Sequence, residues 1–210
     1  MVGPEAFAEV KYLAHAKQLQ ALDAIPAVAA EFEVAFGRPA GGLVRGYRTE
    51  DAETIVVALG SVLGTIEDTI DEMREEGVPI GTLALKTFRP FPMDAVRAAL
   101  AGAQRVVVLE KALAVGRGGI VAADVGMALA GLELPIHTVV SGLGGRAITG
   151  ASLRRLFEDA TAGRLQPLEF LDMDWDRVGA ELRRMADSAR SGPHAENVLR
   201  EIGLVAGRPH

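Results

Sequence analysis

Residues Phe36 to Ser61, FGRPAGGLVRGYRTEDAETIVVALGS, carry the chain out of an amphipathic helix, across a glycine-rich link and into a strand that stops on Gly-Ser. Within it, Thr54–Leu59 is apolar and β-branched without polar alternation, the pattern of a strand buried on both faces. Such a strand belongs to a parallel sheet covered by helices, so strand and helix should alternate after it.

They do. Val62, Leu63, Ile66, Ile70 and Met73 recur at helical spacing, the other face carries Glu67, Asp68, Asp71, Glu72 and Glu75, and Gly77 ends the helix. The acidic face, on to Glu76, reads as solvated surface. Ile80–Leu85 gives the next strand and Asp94–Leu100 a short helix after Pro92. Arg105–Leu109 and Ile136–Val140 are further strands, separated by a helix over Gly119–Leu129. Thr149 is placed to cap a helix whose Leu153, Leu156 and Phe157 face inward. The pattern predicts an α/β fold: a doubly wound, mostly parallel sheet with right-handed crossovers. Leu168–Leu171 reads as a short edge strand. Asp174 then caps a helix through Val178, Leu182 and Met185, and Ala195–Ile202 forms a last helix.

Upstream of the link, Ala6–Phe36 reads as one helix, with an apolar stripe through Phe7, Val10, Leu13, Ala14, Leu22, Ile25, Val28, Ala29 and Phe32. Pro26 lies inside the stripe, which predicts a kink or break near Asp23–Ile25. The organisation expected is an N-terminal helix and link over 1–52, an α/β domain over 53–172 and a C-terminal helical extension over 173–210.

Composition excludes several functions. The net charge of −6 disfavours nucleic acid, whose phosphates need a basic face. No apolar run is long enough to span a bilayer, and Gly3, Pro4 and Glu5 do not make a signal peptide, so a cytoplasmic protein with no membrane partner is expected. The chain has no cysteine, so thiolate ligation of an iron–sulfur cluster and thiol nucleophiles are both out of reach. His15, His137, His194 and His210 are too scattered for a zinc site.

In an open α/β sheet, ligands gather at the carboxyl ends of the strands. Those ends carry Gly60 and Ser61, then Thr87 to Arg89, then Glu110 and Lys111, then Ser141 to Arg146, including Gly142, Gly144 and Gly145. One reading is an anion or interface rim, with backbone N–H groups and Arg89 or Arg146 meeting a carboxylate or phosphate. The other, preferred for this chain acting alone, is that the glycines shape tight turns while Arg89 and Glu110 pair with each other. Gly60-Ser-Val-Leu-Gly64-Thr65 lacks dinucleotide spacing, and Gly142–Arg146 is followed by no Lys-Ser or Lys-Thr, so neither is a nucleotide fingerprint.

The Phe36–Ser61 stretch, with KTFRPFP (Lys86–Pro92), VVVLEKALAVG (Val106–Gly116) and SGLGGRAIT (Ser141–Thr149), resembles the C-terminal half of the alpha subunit of pyruvate:ferredoxin oxidoreductase and its 2-oxoacid relatives. That half is similar to the C-terminal domain of transketolase. The resemblance implies a holoenzyme that oxidatively decarboxylates a 2-oxoacid to an acyl-CoA and passes electrons to ferredoxin. Thiamine diphosphate, magnesium, iron–sulfur clusters and coenzyme A are the cofactors implied for that parent enzyme. This chain, without the Gly-Asp-Gly diphosphate signature, is expected to bind none of them alone and to be inactive alone. Its role is expected to be assembly with the other subunits, as a homo- or hetero-oligomer. Gly60, Ser61, Arg89, Glu110, Gly142, Gly144, Gly145 and Arg146 carry over as an interface rim only. The family's N-terminal domain has no counterpart here, as in an excised domain or a split-gene product. The alternatives are a free-standing binding module or small transferase for an anionic metabolite such as coenzyme A.

Overall fold

The computed structural model describes residues 3–187, 198–199 and 202–203. The chain divides into two compact units, one running to Leu171 and the other starting at Asp172. The first holds helix α1 (Pro4–Phe36) and a sheet of six strands in the order β1-β3-β2-β4-β5-β6. The strands are β1 (Val44–Tyr47), β2 (Thr54–Ala58), β3 (Ile80–Leu85), β4 (Arg105–Glu110), β5 (Ile136–Val140) and β6 (Leu168–Phe170). Between them run α2 (Val62–Glu75), α3 (Met93–Leu100), α4 (Val121–Ala128) and α5 (Gly150–Thr161). The second unit contains α6 (Trp175–Asp187), where the Asp174 carboxylate accepts the Arg177 N–H at 3.1 Å, as the expected cap should. The helix expected over Ala195–Ile202 lies largely outside the described residues.

β2 and β3 are buried at every position, as their unbroken apolar runs require, because helices cover both faces. Val56, Val107, Leu109 and Val139 pack with α2 and α5. Ile55, Val57, Val106 and Val108 point the other way and pack with α3 and α4. The Thr149 hydroxyl accepts the Ser152 N–H at 3.1 Å and so caps α5.

One strand was not legible. Val44–Tyr47, expected within the link, pairs antiparallel with β3, Val44 opposite Leu85 and Tyr47 opposite Thr82. Its VRGY sequence carries an arginine and a glycine because it is an edge strand and is only partly buried. Gly81 of β3 lets the chain turn away beyond it, for a Cβ there would stand 2.3 Å from the Arg48 carbonyl oxygen. The turn is tied to α2 by the Tyr47 hydroxyl and the Arg48 Nε, which donate to the two Asp71 oxygens at 2.7 and 2.8 Å. Arg45 also pairs with Glu67, and Arg154 of α5 with Glu76. The acidic face of α2 is therefore laced to its neighbours rather than simply solvated.

The crossovers also depart from expectation. The step from β2 to β3 runs toward the β1 edge with α2 on one face, while the steps to β4 and β5 run the other way with α3 and α4 on the opposite face. These three share one hand, the right-handed one that twisted strands favour. The step from β5 to β6 continues in the same direction as β4 to β5, yet α5 lies on the α2 face, so this last crossover is left-handed. The reason is coverage: without α5, the α2 face of β4 and β5 would lie bare, and Leu153, Leu156 and Phe157 fill it.

Helix α1 continues through Pro26, so the expected break is absent. No residue of this 33-residue helix is buried. Leu22, Ile25, Ala29 and Phe32 are half-buried, whereas Phe7, Val10 and Leu13 are exposed.

Candidate functional site

The parallel strands share one direction, so the ends of β2, β3, β4 and β5 form a common carboxyl rim. The chain leaves β2 to one side and returns past it to β4, which makes the β2/β4 boundary the topological switch point where such sheets open a crevice. A pocket of about 440 Å³ lies there. Gly60, Ser61 and Val62 after β2, Glu110 and Lys111 at the end of β4, and Phe88 after β3 form part of its wall. Leu59, Leu109, Ile120 and Val121 complete its apolar side.

Glu110 is a buried charge on the rim, and its carboxylate is fully engaged. Oε2 accepts the N–H groups of Ile120 and Val121 at 2.8 and 2.9 Å, and Oε1 that of Ala122 at 3.0 Å. These are donors that the first turn of α4 leaves without helical partners, and a carboxylate at that positive end is favoured. The expected Arg89–Glu110 pair does not form. Arg89 instead donates to Asp124 at 2.9 Å, in the first turn of α4, and its guanidinium lies 4.0 Å over the Phe88 ring. The correction is geometric: loop 111–119 folds back so that Glu110 meets backbone, and Arg89 meets the acid one turn further on.

The remaining rim residues stand apart from this pocket. Gly142, Gly144 and Gly145 all take left-handed conformations, with φ of 66°, 65° and 84°, and shape the turn after β5. Arg146 follows them, exposed. The two groups approach one another through Lys111, whose Cε would stand 3.1 Å from a Cβ at Gly142. Gly60, Ser61 and Glu110 are thus brought together, while Gly142, Gly144, Gly145 and Arg146 are not among the pocket's lining.

What the sequence reading passed over is apolar. Leu59, Phe88 and Ile120 are 41%, 38% and 43% exposed at the strand ends, and Val115 is 93% exposed on the Ala114–Gly118 turn that follows β4. Their signal was available: Leu59 and Phe88 follow strands, Ile120 precedes a helix and Val115 lies on a turn, places where polar residues are the norm.

The α/β domain thus has a crevice at its switch point, an apolar rim and a buried strand-end carboxylate, Glu110, held by backbone amides. Residues 52–153 match the family model of pyruvate:ferredoxin oxidoreductase core domain II, and the chain carries such a domain. It is 36% identical over 177 residues to pyruvate synthase subunit PorA of Methanosarcina barkeri, covering 81% of this chain and 44% of that one. To the same subunit of Thermotoga maritima it is 40% identical over 161 residues, covering 73% and 41%. Among solved structures, a split-gene transketolase, an inactive β4 tetramer, aligns with a TM-score of 0.43 and 16% identity over 56% of this chain and 41% of that chain. The chain spans less than half the length of these two curated relatives.

Among the described residues no three His, Asp or Glu side chains gather to hold a metal ion, and Glu110 is already engaged by three amides. No helix of the described residues is long and apolar enough to cross a membrane.

Proposed function

We propose that this chain is a noncatalytic assembly domain of a 2-oxoacid:ferredoxin oxidoreductase, with pyruvate as the 2-oxoacid and the cytoplasm as its location. The observation that carries this reading is the carboxyl rim, where apolar side chains are exposed around a carboxylate engaged in capping. Exposed apolar area concentrated at one edge suits burial against another subunit. The relatives, named as subunits of pyruvate synthase, supply the class of partner. The absence of cysteine assigns the clusters to other subunits, and thiamine diphosphate, magnesium and coenzyme A are assigned to them with the chemistry. In this reading the chain's work is to bury its rim and α1 against those subunits and hold them in register.

Co-purification from the native host tests it. A thiamine-binding subunit and a ferredoxin-like subunit should be recovered in stoichiometric amounts with this chain. Recovery of the chain alone, or 2-oxoacid oxidation by the chain alone, would overturn the reading.

A further inference from the structure

The pocket at the β2/β4 boundary has the dimensions and composition of a small-molecule site rather than of a shallow contact. Its volume of about 440 Å³ falls within the range of ligand clefts, and its walls are mostly apolar with few polar groups, as such clefts are. The polar groups are not equally free. Glu110 is occupied by the amides of Ile120, Val121 and Ala122 and offers nothing to a ligand. Ser61 makes no side-chain cap to α2, so its hydroxyl is uncommitted. Lys111 lines the same pocket and has no ion-pair partner among the described residues. The charge left over is therefore one ammonium, at the edge of a cavity walled by Leu59, Phe88, Leu109 and Ile120.

We propose that this pocket binds a small amphipathic carboxylate, its apolar body between Leu59, Phe88 and Ile120 and its carboxylate at Lys111 and the Ser61 hydroxyl. A cation would meet Lys111 with like charge, and a polyanion would need more than one ammonium. An uncharged apolar molecule would leave the ammonium unused. The site uses the same rim side chains, Leu59, Phe88 and Ile120, as the assembly role proposed above, so a docked subunit and a ligand would compete for them; the test on the chain alone bears on the pocket, and co-purification bears on assembly.

Methyl-resolved NMR on the full chain, titrated with octanoate, octanol and octylammonium, is the test. Octanoate should shift the methyl signals of Leu59, Leu109 and Ile120 saturably, with octanol about fivefold weaker, the scale of one partly exposed ion pair. Octylammonium should bind more weakly still. Lys111→Gln, a change at an exposed side chain, should bring octanoate down to octanol's affinity, and Ile120→Trp should abolish both by filling the cavity. Equal binding of octanoate and octanol, unchanged by Lys111→Gln, would overturn the carboxylate assignment and leave an apolar crevice suited to a partner's side chain. No saturable shift, or shifts confined to α1, would overturn the site altogether.

Discussion

The Glu110 carboxylate occupies the space that a side chain at Gly119 would need: a Cβ there would stand 2.1 Å from Oε1 and 2.7 Å from the Thr138 methyl. The glycine and the acid form one device, a loop that closes tightly enough for a strand-end carboxylate to reach the next helix's free amides.

Glu110→Ala should cost about 1–3 kcal/mol, because buried N–H groups lose their acceptor. Gly119→Ala should cost a similar amount, about 1–3 kcal/mol, by overpacking. The two should not add: with the carboxylate gone, the alanine at 119 should cost less, by about 1 kcal/mol. Urea denaturation of the two single variants and the double variant measures this, and strict additivity would show that the two residues act independently.

Deleting residues 1–36 should reduce self-association or subunit docking far more than it reduces folding. No residue of α1 is buried, so the sheet's core does not depend on it, while Phe7, Val10 and Leu13 are left without cover. Sedimentation and thermal melting of the truncated chain decide the point. A truncated chain that is unfolded at room temperature would place α1 in the core instead.

Arg146→Ala should weaken association by about 1–3 kcal/mol if the exposed arginine meets a carboxylate across an interface. Its melting temperature should be nearly that of the parent. Ultracentrifugation with and without coenzyme A separates the alternatives. Loss of coenzyme A binding with association intact would make the turn after β5 a phosphate site, and loss of neither would leave its glycines a purely conformational role.

Acid should loosen the β1 edge. The hydrogen bond from Tyr47, assisted by Arg48, holds the Asp71 carboxyl below the usual range against the opposing effect of desolvation. The Arg74 guanidinium likewise lowers Asp51. Because both folded-state values are depressed, their stabilisation is present above the ordinary carboxylate pKa and is lost as pH falls through the lowered values. Tyr47→Phe should raise the pH at which Asp71 protonates. Carboxyl NMR titration reads this directly, and an unchanged Asp71 midpoint would show that the Tyr47 bond does not control it.

The limits of the sequence follow from the same contacts. Ile80–Leu85 was legible to the residue because burial on both faces leaves a pattern that no surface element imitates, and Ile136–Val140 because its β-branched run ends in the buried Val139 and Val140. β1 was not, since an edge strand with one neighbour tolerates arginine and glycine. Pro26 suggested a break, yet α1 is nowhere buried, so water can satisfy the carbonyl that loses its donor. Gly60, Ser61 and Glu110 could be placed on one rim by topology alone. The partners of Glu110 and Arg89 could not, because they depend on how residues 111–119 fold back, and the local sequence does not dictate that path. The hand of the last crossover depended on which face stood uncovered, a property of the whole sheet.

The reversal of β1 has a practical consequence. Running antiparallel, this strand begins beside the end of β3, so residues 37–43, which lead into it from α1, approach the sheet at its carboxyl edge, where Lys86 and Thr87 donate to the Leu43 carbonyl. A parallel β1 would have rooted the helix at the opposite edge. Tethering the chain to a solid support through α1 would therefore crowd the ligand-bearing side, whereas attachment at the turns of Gly77, Gly102 or Gly131 would leave that side open to solution.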